Sequence, residues 1–234
     1  MKKFAILVTA ALSSAMMMAQ PAPGSFEQSW TRGPEWLRDG VIYQVYPSSY
    51  KDSDGNGIGD IRGVISKLDY IEKLGVRAIW FNPIFVSGWI DGGYDIIDFY
   101  KVDPRFGTNN DLVELVEKAH AKGIKVMLDL VAGHTSDKHP WFVQSSEDTN
   151  LQYSDYYIWS DRLPDKKAEA DLERMLQDPN YMQNTIGKWM LSKYPRNKYY
   201  CKNFYACQPS LNYGYANPDP DHPWEQGVNE PGPK

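Results

Sequence analysis

The chain has 234 residues, of which 42% are hydrophobic, so it has enough apolar material to build a sizeable core. Its formal net charge is −5, and no basic run stands out in the sequence. This balance argues against a nucleic-acid-binding protein.

Residues 1–19 have the pattern of a secretory signal peptide: Lys2 and Lys3, a short apolar run, and a small residue at the expected cleavage point. The run is too short and wrongly flanked for a membrane span. We therefore expect an exported, periplasmic or extracellular protein whose mature chain starts near Gln20 and contains no membrane span. Residues 20–35 are a Pro- and Gly-containing extension.

The first predicted strand, VIYQVYP, is followed by the loop DSDGNGIGD at residues 52–60 and then by a helix over residues 61–75. Acidic and amide side chains alternate with glycine in this loop, as in calcium-binding loops. An EF-hand is excluded because its twelfth position, which needs a bidentate Glu, falls on Gly63, and because a strand precedes the loop. The alternative is an acidic, glycine-rich turn without an ion. For calcium, the predicted ligands are Asp52, Asp54, Asn56, the carbonyl of Ile58, and Asp60.

The strand–helix pattern continues with a strand at VRAIWFNP, a long loop over residues 87–107, a helix over residues 109–123 and a third strand, IKVMLDLV. The helix stripe of residues 61–75 is predicted to end with Leu74 facing inward, and the apolar third strand is predicted to be buried, including Asp129 near its end. This alternation predicts a parallel sheet with helices outside it.

From Thr135 to about Pro223 the alternation stops, and one helix is predicted, at KKAEADLERML. Roughly ninety residues are too many for a connecting loop, so residues 135–223 are predicted to form an inserted domain. Cys201 and Cys207 either form a disulfide or remain two thiols.

Polar residues follow the second and third strands, where parallel α/β folds carry their functional sites. Asp91 and Tyr94 lie in the second loop, and Asp129 and His134 lie at and after the third strand. Carboxylate, aromatic and imidazole groups in such loops suit a sugar ligand, because a ring can stack on a pyranose while polar groups hold its hydroxyls. Each also has a structural alternative, such as Asp129 tying down a neighbouring loop. A zinc site of Asp129, His134 and His139 lacks the usual two-His helical spacing.

Several of these motifs resemble the alpha-amylase superfamily, glycoside hydrolase family 13. The resemblance lies in DLVAGH at 129–134, GYDIIDFYKVDPRFGT, the segment from the first strand through the 52–60 loop, and QPSLN at 208–212. It covers roughly residues 36–224 and is similar to the oligo-1,6-glucosidase branch. The 52–60 loop matches the calcium loop of that branch, with the five ligands named above.

The resemblance implies an α/β fold: the N-terminal part of a (β/α)8 TIM barrel with an irregular α+β domain inserted after the third strand. Residues 36–134 would form the first βα units, residues 135–223 the inserted domain, and residues 224–234 the start of the return to the barrel.

In the family, later strands are followed by the nucleophile, the acid/base Glu and the stabilising Asp. The resemblance therefore places no catalytic residue within residues 1–234. The resemblance therefore implies the N-terminal portion of a retaining glycoside hydrolase acting on short α-glucosides or maltodextrins, inactive by itself. Asp91, Tyr94 and His134 are the implied substrate-binding residues. Related transglycosylases and isomerases share these motifs, and the alternative is a non-catalytic protein that binds sugar or a partner.

Two positions depart from the family pattern. Gly133 stands where the family often has Asn, and Ser210 where it often has Asp. Both family residues serve a second calcium site in many members, so we expect a single calcium ion here.

Overall fold

The computed structural model describes residues 34–38 and 40–214. The predicted signal peptide at 1–19 lies outside the described residues, as do most of the 20–35 extension and residues 224–234. The chain divides into two compact units, residues 1–41 and 42–234. Within the described residues, no helix is long and apolar enough to cross a bilayer.

The first unit contributes one described helix, α1 (Glu35–Arg38). The elements of the second unit, in chain order, are β1 (Ile42–Val45), α2 (Ile61–Ile65), α3 (Leu68–Lys73), β2 (Ala78–Phe81), β3 (Phe85–Ser87), β4 (Ile96–Val102), α4 (Asn109–Ala121), β5 (Lys125–Leu128), α5 (Pro140–Glu147), β6 (Trp159–Ser160), α6 (Lys166–Leu176), β7 (Trp189–Leu191) and β8 (Tyr199–Cys201).

The predicted parallel sheet is confirmed: its strand order is β1–β2–β5, and both neighbouring pairs are parallel. Ile42 pairs with Ala78, and Ala78 pairs with Lys125, so the three strands start in register. Their carboxyl ends therefore meet at one edge of the sheet, which is where the polar loops begin.

Helices α2, α3 and α4 supply the apolar side chains of the first core. Buried in it are Ile61, Val64, Leu68, Ile71, Leu115, Ala119, and strand residues including Val45, Ile79 and Phe81. The helix α4 starts with a capping box between Thr108 and Asp111, which satisfies backbone donors at its first turn.

The prediction of one helix over residues 61–75 is wrong in detail, because the segment forms two helices separated at Ser66 and Lys67. The hydroxyl of Ser66 donates to the carbonyl of Gly63 at 2.6 Å, a local bond that competes with helix continuation. Leu74, predicted to face inward, is 48% exposed because it caps the end of α3 just before Gly75. Gly75 has a φ of +74°, which ends the helix in the left-handed region.

The predicted burial of the third strand is also wrong. Met127 and Leu128 of β5 are exposed, and Leu130 is 79% exposed, while Asp129 is half-buried. Within residues 42–214, β5 pairs with β2 alone and forms an edge of the sheet, so one flank has no described neighbour. A continuous apolar run indicates that a strand can be buried. Whether it is buried depends on the neighbouring elements that cover it.

The second loop contains two strands that the sequence reading missed. Strands β3 and β4 pair in antiparallel fashion, with Ser87 opposite Ile96 and two register shifts along the pair. The turn between them, residues 88–95, carries Asp91 and Tyr94.

Residues after Thr135 build a second core. A small antiparallel sheet of order β6–β8–β7 packs with α5 and α6 around Phe142, whose ring contacts those of Tyr157, Trp159 and Tyr200. The predicted helix at KKAEADLERML is confirmed as α6, and Asp165 caps it by accepting from the amide of Ala168. The sequence reading missed α5 and the three strands, which are only two or three residues long. Cys201 and Cys207 are separate thiols and form no disulfide.

Candidate functional site

A chain of hydrogen bonds crosses the carboxyl edge of the parallel sheet. Gln44 on β1 donates to Asn82 at the end of β2 (Nε2 to Oδ1, 3.0 Å). The Asn82 amide donates to the Tyr94 hydroxyl at 3.2 Å, and that hydroxyl donates to Oδ2 of Asp129 after β5 at 2.8 Å. Each strand thus contributes one group, and the Tyr94 ring is held over the strand ends.

The Tyr94 phenol keeps its proton. Burial, followed by the hydrogen bond to Asp129, raises the pKa of Tyr94 above its usual value. A protonated phenol is the donor that the Asp129 carboxylate needs. Asp129 thus ties down the neighbouring loop, as the structural alternative to direct substrate contact proposed.

His134 is 3% exposed, and both of its ring nitrogens are hydrogen-bonded within the protein. Nε2 lies 3.1 Å from the Tyr94 carbonyl oxygen, and Nδ1 lies 3.0 Å from Nδ2 of Asn203. A carbonyl can only accept, so Nε2 carries the proton and Nδ1 accepts from the amide. Burial lowers the pKa of His134, which keeps the ring neutral.

Asp91 lies on the other side of the same turn and is half-buried. Its Oδ2 accepts a hydrogen bond from Nε2 of Gln208 at 2.6 Å. This bond joins the barrel segment, residues 42–134, to the inserted segment, residues 135–214. The structure therefore bonds Tyr94 to both Asp129 and His134. It places Asp91 beside them in the same turn, where the Asp91 carbonyl accepts from the Tyr94 backbone amide at 2.9 Å.

Asp95, which is fully buried, organises the turn that carries these groups. Its Oδ1 accepts from the Ser87 hydroxyl at 2.9 Å and from the Asp91 amide at 3.2 Å, and its Oδ2 accepts from the Ile90 amide at 3.2 Å. At Gly88 a Cβ atom would lie 2.4 Å from Asp95 Oδ2, so a side chain there would displace the carboxylate. Asp95 therefore stabilises the turn through three hydrogen bonds.

Asn82, Asn203 and Gln208 were not predicted as site residues, although Gln208 begins the QPSLN motif. Asn82 lies at the end of the predicted strand VRAIWFNP, and that position was the available signal for it. Asn203 and Gln208 lie more than sixty residues from their partners, so no local pattern could pair them with His134 and Asp91.

The predicted cation loop brings its carboxylates together. Ligand oxygens of Asp52, Asp54 and Asp60 all lie within 4.8 Å of one another. Gly55 and Gly57 have φ values of +83° and +90°, and these permit the sharp turns between the acidic residues. Among residues that the structure describes, this is the one group of carboxylate, His or Cys ligands that converges in this way. Asp129, His134 and His139, the alternative zinc ligands, do not.

Backbone amides already orient these carboxylates. Asp52 accepts from the amides of Gly55 at 2.7 Å and Gly57 at 2.8 Å, and these bonds hold the pKa of its carboxyl below the usual value. Asp60 accepts from the backbone amide of Ser53 at 2.8 Å and from that of Gly63 at 2.7 Å. The bond from Gly63 caps the N-terminus of α2. The donor set consists of hard oxygens on a pre-ordered loop, which fits Ca²⁺.

Three comparisons place these observations among known proteins. The family model described as alpha amylase, catalytic domain, matches residues 44–224. The chain is 42% identical over 180 residues to an oligo-1,6-glucosidase of Heyndrickxia coagulans, and the match covers 76% of this chain and 31% of that protein. It is 41% identical over 180 residues to the trehalose synthase/amylase of Mycobacterium tuberculosis, covering 77% of this chain and 28% of that protein.

Among solved structures, the chain is similar to the trehalose-6-phosphate hydrolase of Bacillus licheniformis. The TM-score is 0.65 at 39% sequence identity, and the match covers 76% of this chain and 30% of that one. The chain thus spans roughly a third or less of the length of the relatives it matches.

Proposed function

The chain belongs to the alpha-amylase family, glycoside hydrolase family 13. From this premise we propose that it forms the first part of an exported, retaining enzyme. The enzyme cleaves α-glucosidic bonds of short oligosaccharides or maltodextrins. The observation that carries the proposal is the hydrogen-bonded cluster of Tyr94, Asp129 and His134, with Asp91 beside it, at the carboxyl edge of a parallel sheet. That edge is where barrel enzymes bind their substrates.

We assign the sugar contacts by chemistry. The half-buried ring of Tyr94 offers an apolar face to a pyranose, and the Asp91 carboxylate accepts from sugar hydroxyls. His134 donates to the Tyr94 carbonyl, so it holds in place the loop that carries Tyr94. A sugar hydroxyl that reached His134 would have to replace one of its two protein partners.

Cleavage also needs a nucleophile and an acid/base carboxyl about 5 Å apart, on opposite sides of the scissile bond. Asp91 and Asp129 already accept hydrogen bonds from Gln208 and Tyr94, and the 52–60 carboxylates belong to the cation loop. We propose that later parts of a longer polypeptide supply the catalytic pair. The relatives, at about three times the matched length, support this.

We further propose that Asp52, Asp54, Asn56, the Ile58 carbonyl and Asp60 hold one structural Ca²⁺ ion. Bound there, the ion would neutralise converging carboxylates and brace the loop between β1 and α2. It lies on a different loop from the sugar contacts, so its role is structural.

The decisive experiment compares two polypeptides: the 234-residue chain and the longest product of the same reading frame. We expect the longer product to hydrolyse maltose or isomaltose and the 234-residue chain to turn over neither. Asp91→Ala and Tyr94→Ala in the longer product should lower kcat/KM strongly, because contacts to the sugar ring tighten in the transition state.

The other outcomes are equally informative. Sugar binding by the longer product without turnover would replace the proposal with a non-catalytic binding protein. Rearranged disaccharides instead of glucose would indicate an isomerase. Hydrolysis by the 234-residue chain itself would contradict the division of catalytic groups.

Export is tested separately. Cells expressing the chain should release a product that lacks residues 1–19, and intact-mass measurement of the periplasmic or extracellular product checks this. A product that keeps its first 19 residues in the cytoplasm would contradict the signal-peptide assignment.

A further inference from the structure

One short stretch of the inserted segment, residues 203–208, bonds two side chains of the candidate sugar site, and we call it the 203–208 turn. Its first side chain, Asn203, bonds His134, and its last, Gln208, bonds Asp91. These two partners lie on different loops of the barrel segment. We propose that Asn203 and Gln208 are positioning residues that set the geometry of the sugar-contact loops, an inference that rests on the proposed sugar-binding function.

The turn is rigid enough for this role because its ends are bonded to each other. The backbone amide of Asn203 donates to the backbone carbonyl of Gln208 at 2.9 Å, and the backbone amide of Gln208 donates to the backbone carbonyl of Tyr205 at 3.0 Å. Lys202, which is 1% exposed, donates from Nζ to the Phe204 carbonyl at 2.8 Å. The Tyr200 hydroxyl donates to the Ala206 carbonyl at 2.9 Å. The backbone of the turn is therefore anchored to β8.

The orientation of the Gln208 amide follows from its partners. Gln208 is fully buried, and its Oε1 accepts from the Tyr205 backbone amide at 2.9 Å. With the oxygen committed there, the Nε2 group faces Asp91 and donates to Oδ2 at 2.6 Å. A donor is what an ionised carboxylate requires, so this bond is charge-assisted. It holds one oxygen of Asp91 and leaves Oδ1 for a sugar hydroxyl.

The orientation of Asn203 follows in the same way from His134. Because His134 Nε2 donates to the Tyr94 carbonyl, Nδ1 must accept, and Asn203 Nδ2 is the donor it meets. Gly133 leaves room for this contact, since a Cβ there would lie 3.0 Å from Asn203 Nδ2. Asn203 thus acts on Tyr94 through the imidazole, at the backbone carbonyl of the stacking residue.

The ligand-free test uses NMR on the isotope-labelled 234-residue chain. Asn203→Leu should shift the His134 Nδ1 signal and the amide signals next to Tyr94, and Gln208→Met should increase backbone mobility over residues 91–95. Asn203→Ser retains a donor and should stay nearer to wild type. Asn110→Leu and Gln152→Met replace exposed residues of the same types and serve as matched controls.

A polarity exchange tests the Gln208 bond directly. Gln208→Glu alone places two carboxylates at hydrogen-bond distance and should disorder residues 91–95. Adding Asp91→Asn restores a donor and an acceptor with their roles reversed, while the carboxylate at 208 still accepts from the Tyr205 amide. We expect the double variant to recover the wild-type order of this turn.

Maltose titration of the same chain provides the functional readout. Gln208→Met should weaken maltose binding about tenfold, the scale of one hydrogen bond to a charged group. If Gln208→Met lowers the urea midpoint but leaves the signals of residues 91–95 and the maltose affinity unchanged, Gln208 is only structural and the proposal is wrong. Unchanged His134 signals in Asn203→Leu would overturn the other half.

Failure of the proposed function gives a different result. A wild-type chain that binds no maltose would count against the sugar site. The ligand-free signals of His134 and residues 91–95 would still decide whether Asn203 and Gln208 position these loops.

Discussion

His139 should make the stability of the chain depend on acid pH. It is 6% exposed, and burial lowers the pKa of its imidazole from 6.5 to about 4, against a smaller opposing effect of Asp98. Its Nδ1 accepts from the Trp141 amide and caps α5, a bond that a protonated Nδ1 cannot make. Protonation therefore costs both burial of a charge and the helix cap.

The sign follows from the two pKa values. Between pH 6.5 and pH 4 the unfolded chain binds a proton at His139 and the folded chain does not, so acidification favours unfolding. The contribution is complete above pH 6.5 and is lost as the pH falls toward 4. With these values the loss between pH 8 and pH 5 is about 2 kcal/mol.

The assay is urea unfolding at several pH values between 5 and 8 for the wild type and two variants. His139→Asn retains a capping acceptor but does not titrate, so it should lose about 2 kcal/mol less than the wild type over this range. His120→Asn changes an exposed histidine of α4 and serves as the control. Parallel pH curves for the wild type and His139→Asn would refute the reasoning.

Three further predictions concern the cation loop and the two cores. Calcium should raise the melting temperature of metal-stripped chain, Asp54→Ala should remove most of that gain, and metal analysis should find no more than one calcium per chain; calorimetry without calcium dependence, or a stoichiometry of two, would contradict the site. Gly63→Ala should prevent normal packing of α2, because a Cβ there would lie 1.9 Å from the Lys51 carbonyl oxygen; an unchanged urea midpoint would be incompatible with that contact. Phe142→Ala should destabilise the second core by about 3–5 kcal/mol, measured by urea unfolding, because the ring is fully buried among aromatic neighbours; a loss under about 1 kcal/mol would show that this core does not depend on it.

Much of the barrel segment was determined by local sequence. Strands β1, β2 and β5 and helix α4 follow apolar runs and periodic stripes that end at glycines, and Gly75 and Gly123 have the positive φ values that such ends require. The acidic loop was readable for the same reason: its ligands alternate within nine residues, and the turn that gathers Asp52, Asp54 and Asp60 is built by the glycines between them. Where the determinants of a structure lie within a few residues of each other, sequence pattern suffices.

Tertiary structure decided what depends on distant partners. The short strands β6, β7 and β8 are stabilised by pairing and by packing on Phe142, and no strand of two or three residues carries a readable pattern of its own. The exposure of Leu130 depends on what lies beside β5, which its apolar sequence does not encode. Asp91 and His134 were readable as candidates, but Gln208 and Asn203 join them across 117 and 69 residues. Hydrogen bonds of that sequence separation form only when the fold brings the two segments together, because neither side chain has a local feature that identifies its partner.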